Sequence, residues 1–539
     1  MNNGEICVSV CAENADELIK QIYQAEEFAD VIEIRFDCLK ESEFDLALQK
    51  VSQLNFRKPF LATFRPIGAF EDFTFSAFVS ELTKNATNDE VKKRIARLES
   101  RINNWKPIFS LNNINFLDFE LDLFLGLTST NFFDNKLLEN HQIIVSEHNF
   151  EKVPDELEEI YEAMSSAEEY DLKCDIIKIA VQPNDIADSI SIWKLLERAK
   201  QENTRFIPIA MGEAGKWTRI LGLAHGAFMT YASLDSGNET APGQVSAKDL
   251  IEVYRAKELD QNTDVYGIIG NPVSHSVSPE MQNAAFKFHD LNAVYIPFEV
   301  KNLDEFITRM VKPATREIDL NFRGFSVTIP HKQNIIKHLD FIDETAQKIG
   351  AVNTVKIVDG KLHGYNTDAQ GFIEPLKNVY GDLKDANVAI FGAGGSARAC
   401  VYALKKEGAN VTIFARDSSK AGNLAEEFEI KLEDLSKIQN LKSKIHHDIL
   451  VNTTPLGMKG KFESETPVIA KQIENVKLVY DLVFNPFQTK LMTEADKANV
   501  PKIAGMAMLI AQGMAQFKIW TGKDAPMKEM SQAVLRKLV

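Results

Sequence analysis

The first half of the chain repeats one pattern, a short β-branched or aromatic run followed by a longer stretch of helical period. The runs are ICVSV (6–10), VIEIRF (31–36), PFLATF (59–64), FLDFELD (116–122), QIIVSEH (142–148), DIIKIAV (175–181), FIPIAM (206–211) and FMTYAS (228–233), eight in all. Helix-patterned stretches at 15–28, 154–167, 183–201 and 216–223 separate them, and the gap after Phe64 has room for two more. Eight strand–helix units in about 255 residues match a closed (β/α)8 TIM barrel, whose chemistry sits where strands end and loops begin. An open doubly wound sheet is the alternative.

A polar run, KELDQNTDVYG (257–267), ends this pattern, and α/β units resume with VYGIIG, NAVYIPFEV, FRGFSVTIP and AVNTVKIV before DANVAIFGAGGSARA and NVTIFAR. The glycine-rich turn lies midway through this half, which predicts a substrate-binding domain ahead of a Rossmann domain. The expected boundaries are 1–256 for the barrel, 264–366 completed by C-terminal helices at 505–539 for the substrate domain, and 367–504 for the nucleotide domain.

Composition narrows the function. With 61 Lys and Arg against 77 Asp and Glu, the net charge of −16 would repel a phosphate backbone, so nucleic acid is excluded as a main partner. The five cysteines (Cys7, Cys11, Cys38, Cys174, Cys400) lack paired zinc spacing and are too sparse for a disulfide scaffold, so a reducing compartment fits and no metal is expected. The start, MNNGEICVSV, runs straight into a strand with no basic region ahead of an apolar one, so a cytoplasmic location is expected. The apolar stretch 503–520 carries Gln512, Gln516 and Lys518, which are costly in lipid, and reads as a buried helix rather than a membrane span.

Lys178 sits inside the apolar strand DIIKIAV. It is either a stem-buried lysine whose ammonium snorkels to the barrel mouth, or a desolvated amine able to form a Schiff base with a ketone. His148 ends the preceding strand, where an imidazole can shuttle protons. Glu33, Arg35, Arg65 and Arg219 stand at other strand or loop ends; each alone could be a surface ion pair, whereas jointly they suit an anionic carbonyl compound.

EIRFD, TFRP, SEHNF, DIIKIAVQP, AMGEAGKWTR and APGQV together resemble type I 3-dehydroquinate dehydratase over most of residues 1–250. The resemblance implies an imine between Lys178 and the substrate ketone, with His148 as acid and base during syn loss of water. It also implies substrate contacts at Ser9, Glu33, Arg35, Arg65, Arg219, Thr240 and Gln244, Thr240 standing where a serine is more usual. Ala69 occupies the place of the family's glutamate, with Glu71 close by, so altered dehydratase activity is an expectation.

In the second half, GAGGSARA follows a strand and opens a helix, the arrangement in which backbone N–H groups receive a pyrophosphate; a ligand-free tight turn is the alternative. The next strand ends in FARDSSK, where Arg416 and Lys420 favour the 2′-phosphate of NADP and Asp417 opposes it. Lys332 in SVTIPHK and Asp368 in GYNTDAQG are each an ordinary loop charge alone; as a pair they can relay a proton to an alkoxide without a metal.

GNPVSHSVSPEMQNAAF, FSVTIPHK, GAVNTV, GYNTDAQGF, GAGGSARA, VNTTPLGM, VYDLVFNPF and GMAMLIAQGMAQF occur in the order seen in shikimate dehydrogenase and cover nearly all of 264–539. That resemblance implies Lys332 and Asp368 as the catalytic pair and substrate contacts at Ser276, Ser278, Thr328, Asn353 and Gln512. It also implies cofactor contacts at Gly392, Ala393, Gly394, Gly395, Ser396, Arg416, Lys420, Leu482 and Gly505. Phe484 stands where many members have a tyrosine that touches the substrate.

The two resemblances together imply a bifunctional enzyme of aromatic biosynthesis, similar to the fused enzyme of plants and some bacteria. One half dehydrates 3-dehydroquinate to 3-dehydroshikimate, and the other reduces that product to shikimate with NADPH. The competing readings are a metabolite-sensing regulator on the same folds and an NAD-dependent catabolic quinate or shikimate dehydrogenase.

Overall fold

The computed structural model describes residues 2–65, 88–128, 138–165, 173–235, 237, 239–416, 418–435 and 444–538. It divides into two compact units, Met1–Thr263 with Ile296–Val311 and Thr315–Leu320, and Asp264–Tyr295 with Lys312–Ala314 and Asn321–Val539.

The first unit is built on parallel strands β1 (Glu5–Val10), β2 (Val31–Arg35), β3 (Phe60–Thr63), β4 (Ile114–Glu120), β5 (Gln142–Asn149), β6 (Ile176–Val181), β7 (Phe206–Ala210), β8 (Met229–Ser233) and β9 (Val245–Ser246). They pair in the order β7-β6-β5-β4-β3-β2-β1-β8-β9. The sheet curls until β7 meets β8, where the Phe228 N–H donates to the Phe206 C=O (2.9 Å). All eight expected strands are present, and the two-residue β9 extends the sheet beyond them. The run FLDFELD ends as a strand at Glu120, and its last two residues open the helix Leu121–Thr128 instead.

Side-chain alternation positions the site. Cys7, Val31, Leu61, Phe116, Ile144, Ile176, Ile207 and Met229 form one buried apolar cluster inside the barrel. Two residues further along each strand, on the same face, come Ser9, Glu33, Thr63, Asp118, Ser146, Lys178, Ile209 and Tyr231. The core is therefore apolar at the level of the first set and mostly polar one level nearer the carboxyl ends, where a barrel carries its chemistry.

The cysteine reading meets one exception. Cys11 and Cys38, just beyond the ends of the neighbouring strands β1 and β2, form a disulfide with Cα atoms 5.5 Å apart. Their separation of 27 residues is not a motif, so only the pairing of β1 with β2 reveals the bridge.

The second unit carries two six-stranded sheets, apart from Ile296–Glu299 at the end of one strand, which fall in the first unit. One orders β10 (Asp264–Gly270), β11 (Ala293–Glu299), β12 (Phe322–Val327), β13 (Phe341–Ile342), β14 (Thr354–Val358) and β15 (Lys361–Tyr365) as β11-β10-β12-β14-β15-β13, with β14 antiparallel to both its neighbours. The other contains β16 (Asn387–Phe391), β17 (Asn410–Ala415), β18 (Lys431–Asp434), β19 (Ile449–Asn452), β20 (Leu478–Asp481) and β21 (Lys502–Ile503), all parallel in the order β18-β17-β16-β19-β20-β21. That is the Rossmann order, reversing on either side of β16.

The apolar stretch near the end forms the helix Gly505–Thr521, whose Phe517 and Trp520 join Met530 and Val534 of the last helix against Tyr266, Met281, Phe286 and Tyr295. No helix among the described residues is long and apolar enough to cross a membrane.

Candidate active sites

A cavity at the carboxyl ends of the barrel strands is lined by Ser9, Glu33, Arg35, Thr63, Arg65, His148, Lys178, Arg219, Tyr231, Thr240 and Gln244. Every barrel residue expected at the site is thus brought together, while Ala69 and Glu71 lie outside the described residues. Lys178 Nζ donates to Asp118 Oδ2 (2.8 Å) and lies 3.9 Å from the centre of the Tyr231 ring. Asp118 also accepts from Arg65 Nη2 (2.8 Å) and Ser146 Oγ (2.6 Å). Glu33 accepts from the hydroxyls of Ser9 (2.5 Å) and Thr63 (2.8 Å). Gln244 Oε1 accepts from Thr240, whose N–H is at 2.8 Å and hydroxyl at 3.2 Å.

Charge separates the three arginines. Arg35 is held bidentately by Asp37, at 3.0 and 2.6 Å. Burial opposes the charge of Arg65, but Asp118 and Glu120 outweigh it and hold its pKa above the usual range. Arg219 is 2% exposed and, among the described residues, reaches only the carbonyls of Tyr231 (3.5 Å) and Pro242 (3.4 Å) and leaves its Nε without a partner. Burial pulls its pKa down to about 10. A buried cation in that position has the chemistry to receive an anionic group. Burial, then Arg65 and Lys178, lower the pKa of His148 well below the ordinary histidine value, with Asp118 opposing. The ring is therefore a neutral acceptor at neutral pH.

Asp118, Thr63 and Ser146 escaped the sequence reading. The signal that finds Thr63 and Ser146 is the alternation itself, a polar residue two places beyond a buried apolar one on the inward face of a strand.

In the second unit, Lys332 Nζ donates to Asp368 Oδ2 (2.5 Å), and Asn353 Nδ2 donates to Asp368 Oδ1 (2.8 Å). Asp368 is the first residue of the helix Asp368–Tyr380, and its own N–H is bonded to Asn366 Oδ1 (3.0 Å). That helix touches Gly505–Thr521 so closely that a Cβ on Gly371 would lie 2.6 Å from Gln512 Cβ. The Gln512 amide itself donates to the Leu509 carbonyl (2.9 Å). Ser276 Oγ accepts from the Ser278 N–H (3.2 Å) at the start of Ser278–Phe288, and the Thr328 N–H is tied to the Ile269 carbonyl (2.9 Å) just beyond β12.

The glycine turn leaves β16 at the strand-order reversal and enters the helix Gly395–Lys406. Gly392 has φ +111°, and a Cβ there would sit 2.5 Å from Thr453 Oγ1. In front of Gly394, where a Cβ would meet nothing within 4 Å, there is open space for a phosphate. Ala393 lies between these two glycines, and Ser396 is in the first turn of the helix. A Cβ on Gly395 would be 3.6 Å from Lys332 Cδ, so this turn adjoins the Lys332–Asp368 pair. Arg416 is exposed at the end of β17, Lys420 falls in the helix Ser418–Glu427, and Asp417 is outside the described residues. The Leu482 carbonyl would be 2.5 Å from a Cβ on Gly505, which only glycine permits. An open turn at a helix N-terminus, a strand switch point and an exposed arginine fit a phosphorylated dinucleotide.

Residues 6–261 match the family model of type I 3-dehydroquinase. Residues 268–355 match the shikimate dehydrogenase substrate binding domain, 374–472 shikimate / quinate 5-dehydrogenase, and 505–535 the shikimate 5′-dehydrogenase C-terminal domain. A chloroplastic bifunctional 3-dehydroquinate dehydratase/shikimate dehydrogenase of Arabidopsis thaliana is 33% identical over 558 residues, covering 99% of this chain and 85% of the relative. The chain belongs to this bifunctional family. As a member, it is an enzyme of the shikimate pathway with a dehydratase half and a dehydrogenase half.

Among relatives of the dehydrogenase half, the NADP(+) shikimate dehydrogenase of Methanocaldococcus jannaschii is 44% identical over 285 residues, 52% of this chain and 99% of that one. A crystal structure of the Thermus thermophilus shikimate 5-dehydrogenase with NADP(H) and shikimate has 35% identity and a TM-score of 0.45, covering 51% of this chain and 99% of that one.

Proposed function

We propose that the barrel dehydrates 3-dehydroquinate through a Schiff base on Lys178 with His148 as acid and base, and that the second unit reduces 3-dehydroshikimate to shikimate with NADPH through Lys332 and Asp368. The barrel reading rests on one juxtaposition: a buried lysine amine, a neutral histidine and the unpaired Arg219 guanidinium share one cavity. Arg219 takes the substrate carboxylate, while Arg35, Arg65, Glu33, Ser9, Thr240 and Gln244 hold its hydroxyls and orient the ketone. The Lys178 nitrogen sheds a proton to attack the carbonyl carbon as an amine, and that proton and one more from the nitrogen leave with the carbonyl oxygen as water. The resulting iminium withdraws electrons from the adjacent C–H bond. His148 takes that proton and returns it to the departing hydroxyl, so a second water is lost. Water then hydrolyses the iminium and restores the lysine.

In the second unit, Ser276, Ser278, Thr328, Asn353 and Gln512 are assigned to the substrate. The glycine turn with Ala393 and Ser396, together with Arg416, Lys420, Leu482 and Gly505, is assigned to the cofactor. When bound, the cofactor supplies the hydride that reduces the ketone carbon. Lys332 gives a proton to the developing alkoxide, and Asp368, itself oriented by Asn353, holds the ammonium in place. No step needs a metal. The assignment divides the chain at 1–256, at 264–366 with 505–539, and at 367–504. A cytoplasmic location is part of the reading and rests on the five sparse cysteines; the Cys11–Cys38 bridge stands against it, and fractionation decides.

Borohydride added with 3-dehydroquinate tests the barrel. A stable adduct, heavier than the protein by the substrate or by its dehydration product less one oxygen atom, forms on the wild type and is missing in Lys178→Ala. Equal trapping in both proteins defeats the assignment.

A further inference from the structure

Asp118 is fully buried on β4, and three donors converge on it, from Lys178, Arg65 and Ser146. We propose that Asp118 is a positioning residue of the dehydratase. Its carboxylate stays on the Lys178 nitrogen from ammonium to iminium, fixes it against the Tyr231 ring and keeps the imine protonated while the neighbouring C–H bond breaks.

The inference rests on the Schiff-base reading. Over that step an ammonium and a ketone become an iminium and one water, so the nitrogen keeps its positive charge and a single N–H. A neutral imine is a poor electron sink, so the chemistry needs that proton retained. The surroundings work against retention. The charged and titratable groups around the Lys178–Asp118 pair are Cys7 on β1, Glu33 and Arg35 on β2, Arg65 after β3, Glu120 on β4, His148 on β5 and Tyr231 on β8. Glu33 is engaged by the Ser9 and Thr63 hydroxyls, and Glu120 is paired with Arg101 and Arg65. Cys7 and Tyr231 are buried, which pushes both groups up and keeps them neutral. Arg65 is cationic and would drive a proton off the nitrogen. The carboxylate bonded to the nitrogen is that of Asp118, at 2.8 Å. Its charge is secured because Arg65 and Lys178 together outweigh its burial.

The test compares Asp118→Asn with the wild type in steady-state kinetics and in cyanoborohydride trapping from neutral to alkaline pH. Near-UV circular dichroism serves as the fold check. In Asp118→Asn, kcat for dehydration is expected to fall about 10²-fold with little change in KM. Trapping should die away about one to three pH units lower than in the wild type, because the imine sheds its proton sooner. A wild-type trapping profile in Asp118→Asn overturns the inference even if kcat falls, since a merely structural role would leave the profile in place. If Asp118→Asn lacks the native spectrum, Asp118→Glu decides. A wild-type trapping limit with reduced kcat supports the role of the charge, and a limit lowered as expected for the amide overturns it. Failure of the wild type to trap at all would sink the Schiff-base reading itself, a separate outcome.

Discussion

Arg219 is a residue that the folded barrel holds at a cost. Its guanidinium is buried among carbonyl groups 3.4–3.5 Å away, and burial alone pulls its pKa below the usual arginine range, to about 10. The direction has a definite sign. At neutral pH the group is charged in both folded and unfolded chains, yet the folded chain holds that charge less comfortably, so burying it subtracts from stability until an anion arrives. Arg219→Met is therefore expected to raise the thermal stability of the ligand-free barrel, by on the order of 1–4 kcal/mol. It should also raise the dehydratase KM about 10²-fold, since the substrate carboxylate loses its buried partner. Calorimetry and steady-state kinetics on the same preparation check both halves, and a variant less stable than the wild type would contradict the account. Lys178 and His148 were legible in the sequence because a charged or imidazole group in an apolar strand or at its end is conspicuous, whereas Arg219, expected at a strand or loop end, lies within the helix Gly212–His225. Asp118 was not legible, because in FLDFELD it alternates with two other acids, and nothing local separates the inward carboxylate at its strand centre from those at the strand end and beyond.

At the scale of elements, the barrel strands were legible because parallel strands buried on both faces must be nearly continuous apolar runs, as Ile176–Val181 is. β9 was not, since two residues carry no periodicity. The disulfide was hidden for another reason, being a consequence of strand adjacency rather than of spacing. Strand order in the nucleotide sheet likewise follows from packing, but the glycine turn that marks its switch point could be located directly. Gly392 allows a substitution test of that element. Its φ of +111° disfavours any side chain, and an added Cβ would press on Thr453 Oγ1, which cannot swing away without losing its 2.7 Å bond to the Phe391 carbonyl. Gly392→Ala is expected to destabilise the second unit by about 1–3 kcal/mol. The KM for NADP should rise at least tenfold, while dehydration of 3-dehydroquinate is unchanged. An NADP titration alongside a dehydratase assay would disclose either an intact turn or an effect that spreads to the barrel.

At the scale of the whole molecule, two consecutive reactions share one chain, and their common intermediate is an anion released from a protein of net charge −16. Guiding an anion from one centre to another requires a local positive potential, and the overall field repels it. Residues of the two centres are also drawn from separate units, the barrel cavity from the first and the Lys332–Asp368 pair from the second. Free release is the expected outcome, and complementation measures it. Lys178→Ala is expected to keep full shikimate oxidation and lose dehydration, and Asp368→Asn the reverse. An equimolar mixture of the two, supplied with 3-dehydroquinate and NADPH, should then consume NADPH after a lag and reach the steady rate of wild type at half the total protein concentration. Excess of a separate shikimate dehydrogenase should shorten that lag for mixture and wild type alike. If the mixture instead turns over far more slowly while both single activities are intact, the intermediate is being handed over within one chain, and the charge argument fails.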